Sequence, residues 1–120
     1  MSSIVKGSLR SIVLDTIGAE RYYIFCMIKS FADDDTERLF LGQRSKRLPK
    51  DIWRRGVRKL LLIHAAEDIQ ELHVPPGNRP EKLKGDRTGQ WSIRINDQWR
   101  VCFVWRDGDA YEVEITDYHS

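Results

Sequence analysis

Residues 83–119 read LKGDRTGQWSIRINDQWRVCFVWRDGDAYEVEITDYH, which sets an arginine inside an apolar strand pattern and closes on Asp-Tyr-His. In QWRVCFVW, Trp99, Val101, Phe103 and Trp105 alternate with Arg100, Cys102 and Val104. Arg100 therefore shares its strand face with a thiol and an aliphatic side chain. Such an arginine either lays its stem over apolar surface or has its guanidinium held in a partly enclosed site. A guanidinium donates hydrogen bonds in a fixed fork that matches phosphate oxygens. His119 adds an imidazole, whose ordinary pKa of ~6.5 suits proton transfer near neutral pH. Plain readings stand beside these: a strand arginine facing water, and a histidine at a solvated chain end.

The elements that must position these groups are legible from periodicity. MIKSFA (27–32) reads as a first strand, with Ile28, Ser30 and Ala32 opposite Lys29 and Phe31. DDDTERLF follows, its early acids suited to a helix N-terminus and Gly42 to its end. The stretch 48–72 is the longest helical pattern, with Pro49 in its first turn and Ile52, Trp53, Val57, Leu60, Leu61 and His64 on one stripe. Gly56 costs such a helix about 1 kcal/mol, which marks close packing there, and the pattern breaks near Glu67–Asp68. Residues 73–89 form a long connection, with one short strand near Glu81–Leu83. Strands at 90–96, 98–105 and 110–118 are joined by hairpin turns at Asn96-Asp97 and Asp107-Gly108-Asp109. The sum is an α+β fold: an N-terminal strand and two to three helices packed on a small antiparallel sheet.

A chain of 120 residues with 41% hydrophobic and 32% charged residues suits one globular domain. No apolar run approaches the ~20 residues of a membrane span. The net charge of +2 hides a basic block, Arg44, Lys46, Arg47, Lys50, Arg54, Arg55, Arg58 and Lys59, opposed only by Asp51. Such a block fits a polyanion partner or a plain solvated helix face. The two cysteines, Cys26 and Cys102, lie far from any metal-ligand spacing, so neither a metal nor another cofactor is expected, and reduced thiols point to the cytoplasm. Residues 1–26 make a poor signal peptide and carry no clean periodicity. They are expected to be an upstream extension or mis-assigned start before a domain spanning 27–120, with an arm packing on that domain as the alternative.

MIKSF, LKGDR, SIRINDQWR and DYH, in that order, resemble the HigB killer toxins of the RelE superfamily over Met27 to His119. The resemblance implies a RelE-like fold and a ribosome-dependent, metal-independent endoribonuclease that cuts messenger RNA. It also implies a HigA-like helix-turn-helix antitoxin as partner, in a complex able to bind operator DNA. The family's motif lysine matches Lys84, its strand arginine Arg100, and its terminal triplet Asp117, Tyr118 and His119. Some relatives carry histidine three residues before the lysine; Glu81 stands there, so either a carboxylate replaces imidazole or His119 carries more of the proton transfer.

Cleavage of this kind uses the 2′-hydroxyl of the RNA as nucleophile. The expected catalytic set is Arg100, His119, Asp117, Tyr118, Lys84 and Glu81, with Arg87 and Arg94 on the RNA backbone. Arg54, Arg55 and Arg58 are expected to face the partner or the ribosome. His64 is expected to be a core or boundary histidine and Cys102 a core thiol. The competing reading is a non-catalytic module that binds nucleic acid or a partner through the basic helix and strand aromatics, with His119 incidental.

Overall fold

The computed structural model describes residues 28–117 together with the two-residue strands β1 (Val13–Leu14) and β2 (Glu20–Arg21). These two pair antiparallel, Val13 with Arg21 and Leu14 with Glu20. Strands of two residues are too short to show an alternation, which is why the sequence pattern passes over them.

The main sheet has four antiparallel strands in the order β3 (Glu81–Lys82), β4 (Gln90–Arg94), β5 (Trp99–Arg106) and β6 (Asp109–Asp117). Asn96 closes the first hairpin by accepting from the backbone of Gln98 (2.9 Å) and Trp99 (2.7 Å). The second hairpin turns on Asp107 and Gly108, both at positive φ, as a two-residue loop matched to the twist of the strands requires. The expected first strand is a run alongside β6: Ile28 and Phe31 form isolated parallel bridges to Ala110 and Val113. Its ladder is interrupted where Glu112, at φ 52, sits in an irregularity of the β5–β6 register.

Among the described residues two α-helices, α1 (Asp34–Phe40) and α2 (Trp53–Ala65), pack on one side of this sheet. Asp33 caps α1 by accepting from Thr36 N (3.2 Å) and the Thr36 hydroxyl (2.6 Å). The buried Thr36 Oγ1 in turn accepts from Ile115 N (2.9 Å), which ties the helix start to β6. Asp35 accepts from the Ser45 hydroxyl (2.9 Å), and that bond holds its carboxyl below the usual aspartate value.

Along α2 the buried line is Gly56, Leu60 and Ile63, continued upstream by Ile52. The stripe read from sequence is shifted: Leu61 is 48% exposed, whereas Gly56 faces the sheet. A Cβ at Gly56 would lie 3.1 Å from Leu39 Cδ2 and 3.3 Å from Ile115 Cδ1, so the missing side chain lets this line of the helix approach closest. The core beneath contains Ile93, Ile95, Val101, Phe103, Val113 and Ile115. His64 lies at its boundary, accepting from Ile28 N (3.3 Å) and edge-on to Phe40 at 5.0 Å. Beyond α2 the chain breaks as expected, with short 3-10 turns at Ile69–His73 and Pro76–Asn78.

Candidate functional site

The core takes one face of the sheet, which leaves the other for Arg100. Strand register puts Arg94 opposite Arg100 and Arg100 opposite Thr116; one step further along, Glu81 pairs with Ser92, Ser92 with Cys102, and Cys102 with Glu114. Because side chains alternate, these residues share a face. Arg100 lies among them with its side chain 11% exposed.

Its guanidinium is held in one orientation. Arg100 Nε donates to Ser92 Oγ (2.7 Å), and Nη2 donates to the Arg79 carbonyl (2.7 Å) and more weakly to the Ser92 carbonyl (3.4 Å). Glu81 Oε1 stands 3.8 Å from Nη2. Of the two sequence alternatives, the held guanidinium is the one realised. Neither Ser92 nor the Arg79 carbonyl was expected at the site. Alternation places Ser92 with Arg94, but only the β4–β5 register carries it across to Arg100.

The remaining expected residues divide. Lys84 is exposed at the start of the 3-10 turn Gly85–Arg87, after the buried Leu83, whose N–H bonds the Gln90 carbonyl (2.9 Å). Arg87 turns inward along the sheet, with Nη1 on Gln90 Oε1 (2.9 Å) and Nη2 on Glu114 Oε1 (3.3 Å). Arg94 is paired with Asp97 on the hairpin turn. Asp117 is opposite Trp99, so Thr116 rather than Asp117 shares the face of Arg100, and Asp117 Oδ2 accepts from Gln98 Nε2 (2.9 Å). Tyr118 and His119 lie outside the described residues. Cys102 is fully buried beneath this face, and burial pushes its thiol up to about 11, against the opposing pull of Arg87. Among the described residues no group of three or more His, Cys, Asp or Glu side chains is placed to hold a metal ion. Nor is any helix among them long and apolar enough to cross a membrane.

The basic block is not one surface. Arg54 and Arg44 rim a largely apolar groove of about 210 Å³ floored by Leu39, Trp53 and Val57, beside the 60% exposed Leu41. Arg55 and Arg58 line a separate concavity of about 240 Å³ with Lys59, Gly77, Arg94 and Ile95. Successive residues of a helix point about 100° apart, which sends Arg54 to one surface and Arg55 and Arg58 to the other, a distinction invisible in a simple count of charge.

Residues 29–119 match the family described as the RelE-like toxin HigB of type II toxin-antitoxin systems. The chain belongs to this family. Toxin HigB-1 of Vibrio cholerae serotype O1 is 39% identical over 83 residues, covering 69% of this chain and 80% of that protein. Endoribonuclease HigB of Proteus vulgaris is 37% identical over 93 residues, covering 78% of this chain and all of that protein (100%). Among solved structures, the YoeB dimer from Staphylococcus aureus aligns with a TM-score of 0.47 at 22% identity, over 79% of this chain and 98% of that one. The YoeB-YefM complex from the same organism aligns with a TM-score of 0.46 at 21% identity, over 78% and 95%. As a HigB-like toxin of a type II toxin-antitoxin system, the protein has an antitoxin as its partner.

Proposed function

We propose that this HigB-like toxin is an endoribonuclease that cuts messenger RNA on the ribosome by attack of the RNA 2′-hydroxyl on the adjacent phosphodiester. The observation that carries the reading is the Arg100 guanidinium, nearly enclosed and oriented by Ser92 and the Arg79 carbonyl, within a chain whose 37% identical relative is named an endoribonuclease. A donor fixed before the substrate arrives stabilises charge that develops on the phosphoryl oxygens without paying for reorientation, and one such donor contributes roughly 3 kcal/mol.

In this mechanism Arg100 takes the charge of the phosphorane. His119 is the leading candidate for proton transfer to the departing 5′ oxygen, and Glu81 for removal of the 2′ proton. Lys84 supplies a compact positive charge to the RNA backbone, and Asp117 and Tyr118 act beside His119 as the rest of the terminal triplet. No step calls for a metal ion. Arg87 is held to Gln90 and Glu114, so its part is to brace the sheet under the site, with RNA contact as a secondary role. The antitoxin is a helix-turn-helix protein of the HigA kind. It docks at the apolar groove rimmed by Arg44 and Arg54, where an acidic and apolar segment finds both complements. The resulting complex binds operator DNA.

The test is induction of the toxin in bacteria with and without its antitoxin, followed by primer extension on messenger RNA and a reconstituted assay on programmed ribosomes. New 5′ ends that appear with the toxin and vanish with the antitoxin are the expected result. RNA binding without cleavage would leave the non-catalytic binding module as the better account.

A further inference from the structure

The concavity lined by Arg55, Arg58, Lys59, Gly77, Arg94 and Ile95 gathers four cationic side chains from α2 and the end of β4 around about 240 Å³ of space. We propose that it is a seat for a backbone phosphate of an RNA strand, adjacent to the Arg100 site and distinct from it. The proposal rests on the reading of the chain as a ribonuclease, and it adds to that reading a fixed second point of grip.

Three observations carry it. First, three of the four charges lack an acidic partner among the described residues. Among the described residues no carboxylate pairs with Arg55, Arg58 or Lys59. Arg94 has Asp97, but the Asp97 side chain is 99% exposed on its turn, and such a pair yields readily to a competing anion. Burial lowers the pKa of Lys59, and the neighbouring Arg58, Arg55 and Arg94 lower it further, so the fold brings like charges together at a cost that an anion would relieve.

Second, the lysine is positioned. Lys59 Nζ donates to Asn78 Oδ1, and Asn78 is fully buried. The Asn78 amide spends its own N–H groups on the carbonyls of Leu72 (3.0 Å) and Val74 (3.2 Å), which aims Oδ1 at the lysine. A lysine serving solubility alone needs no buried anchor.

Third, the pocket and the Arg100 site share their frame. Arg94 is the cross-strand partner of Arg100, and Arg79, next to Asn78, gives its carbonyl to the Arg100 guanidinium. Neighbouring residues thus hold both groups, Asn78 the lysine and Arg79 the guanidinium. The pocket also offers little apolar surface beyond Ile95, whereas the groove by Arg54 has the apolar floor that a protein anchor needs. Phosphate is therefore the ligand that the pocket suits, in preference to an acidic protein segment.

The test uses the full chain and a short fluorescent single-stranded RNA carrying 2′-O-methyl groups, which binds but cannot be cut. Affinity is measured across a salt series for the wild type and for the Arg55→Gln/Arg58→Gln double variant. Both arginines are exposed, so the variant should melt with the wild type. Loss of one phosphate contact makes the plot of log affinity against log salt shallower by about 0.7 and should lower affinity on the order of tenfold at low salt. In cleavage of unmodified RNA on ribosomes, KM should rise by a similar factor while kcat is kept.

Equal affinity and equal slope for the two proteins would overturn the proposal. So would intact RNA binding with weakened antitoxin binding, which would assign the pocket to acidic side chains of the partner. Failure of the nuclease reading is a separate result: wild-type toxin that binds this RNA yet cuts no messenger RNA.

Discussion

Glu81 and Arg100 meet across a strand: Glu81 on β3 places Oε1 3.8 Å from Nη2 of Arg100 on β5, with β4 between them. The carboxylate is 58% exposed and the guanidinium 11%. A pair so open on one side adds little stability, which frees Glu81 for chemistry. Glu81→Gln should keep the fold and RNA affinity and lower the single-turnover cleavage rate by about 10²-fold or more, as loss of a general base does. An unchanged rate would reduce Glu81 to a screening charge.

Arg100→Lys tests the fork itself. Lysine keeps the charge but cannot reproduce the bonds to Ser92 Oγ and the Arg79 carbonyl together. Cleavage should fall by about 10²–10³-fold, the range for loss of one preorganised donor, with RNA binding little changed. Thermal melting of Arg100→Lys alongside Ser92→Ala separates site damage from loosening of the sheet. Cleavage at the wild-type rate by a folded Arg100→Lys protein would remove the guanidinium from the mechanism.

His119→Ala should cost roughly 10²–10⁴-fold in the chemical step, the usual worth of a proton-transfer group. The expected signature is loss of one limb of the pH–rate profile with RNA affinity retained. Should the profile keep both limbs, Glu81 and a second group outside the terminal triplet would share the proton transfers.

Cys102 should be inert to alkylating reagents in the folded protein near neutral pH and should react once the protein is unfolded, as read by mass spectrometry of its peptide. Its folded pKa of about 11 exceeds the ordinary 9.0, so the native state holds the thiol proton over a window where the unfolded chain has released it. In that window the unfolded chain binds fewer protons, and stability falls as pH rises from 9.0 toward about 11. Cys102→Ala should lose this alkaline slope; an unchanged slope would assign it to another group.

A chain beginning at Met27 should fold and cleave. Ile28 N is tied to His64 Nδ1, and Lys29 N to the Ala110 carbonyl (2.7 Å), so the chain from residue 28 onward is anchored to α2 and β6 by bonds of its own. Loss of the melting transition in this truncation would show that the preceding residues complete the core.

Local signals carried much of the architecture. Alternation in WSIRI and WRVCFVW, Asn96-Asp97, Asp107-Gly108 and the acids before Leu39 each act over a few residues, so the β4–β5 and β5–β6 hairpins and the two described helices could be read without knowing what they pack against. Gly56 as a close-packing point and His64 as a boundary histidine were legible for the same reason. The family too was carried by short motifs in order.

Tertiary structure decided what depends on relations between strands and on rotation about a helix. That Arg100 is gripped by Ser92 and by a carbonyl 21 residues upstream follows from the β3–β4–β5 register, which no run of one strand encodes. The absence of a side chain at Gly56 set which line of α2 faces the sheet, leaving Leu61 outside and dividing Arg54 from Arg55 and Arg58. Asn78, unremarkable in a loop of prolines and glycines, became the anchor of Lys59 because the chain's return past α2 buries it. Periodicity specifies which side of an element is apolar; only close packing decides which distant atoms that side meets.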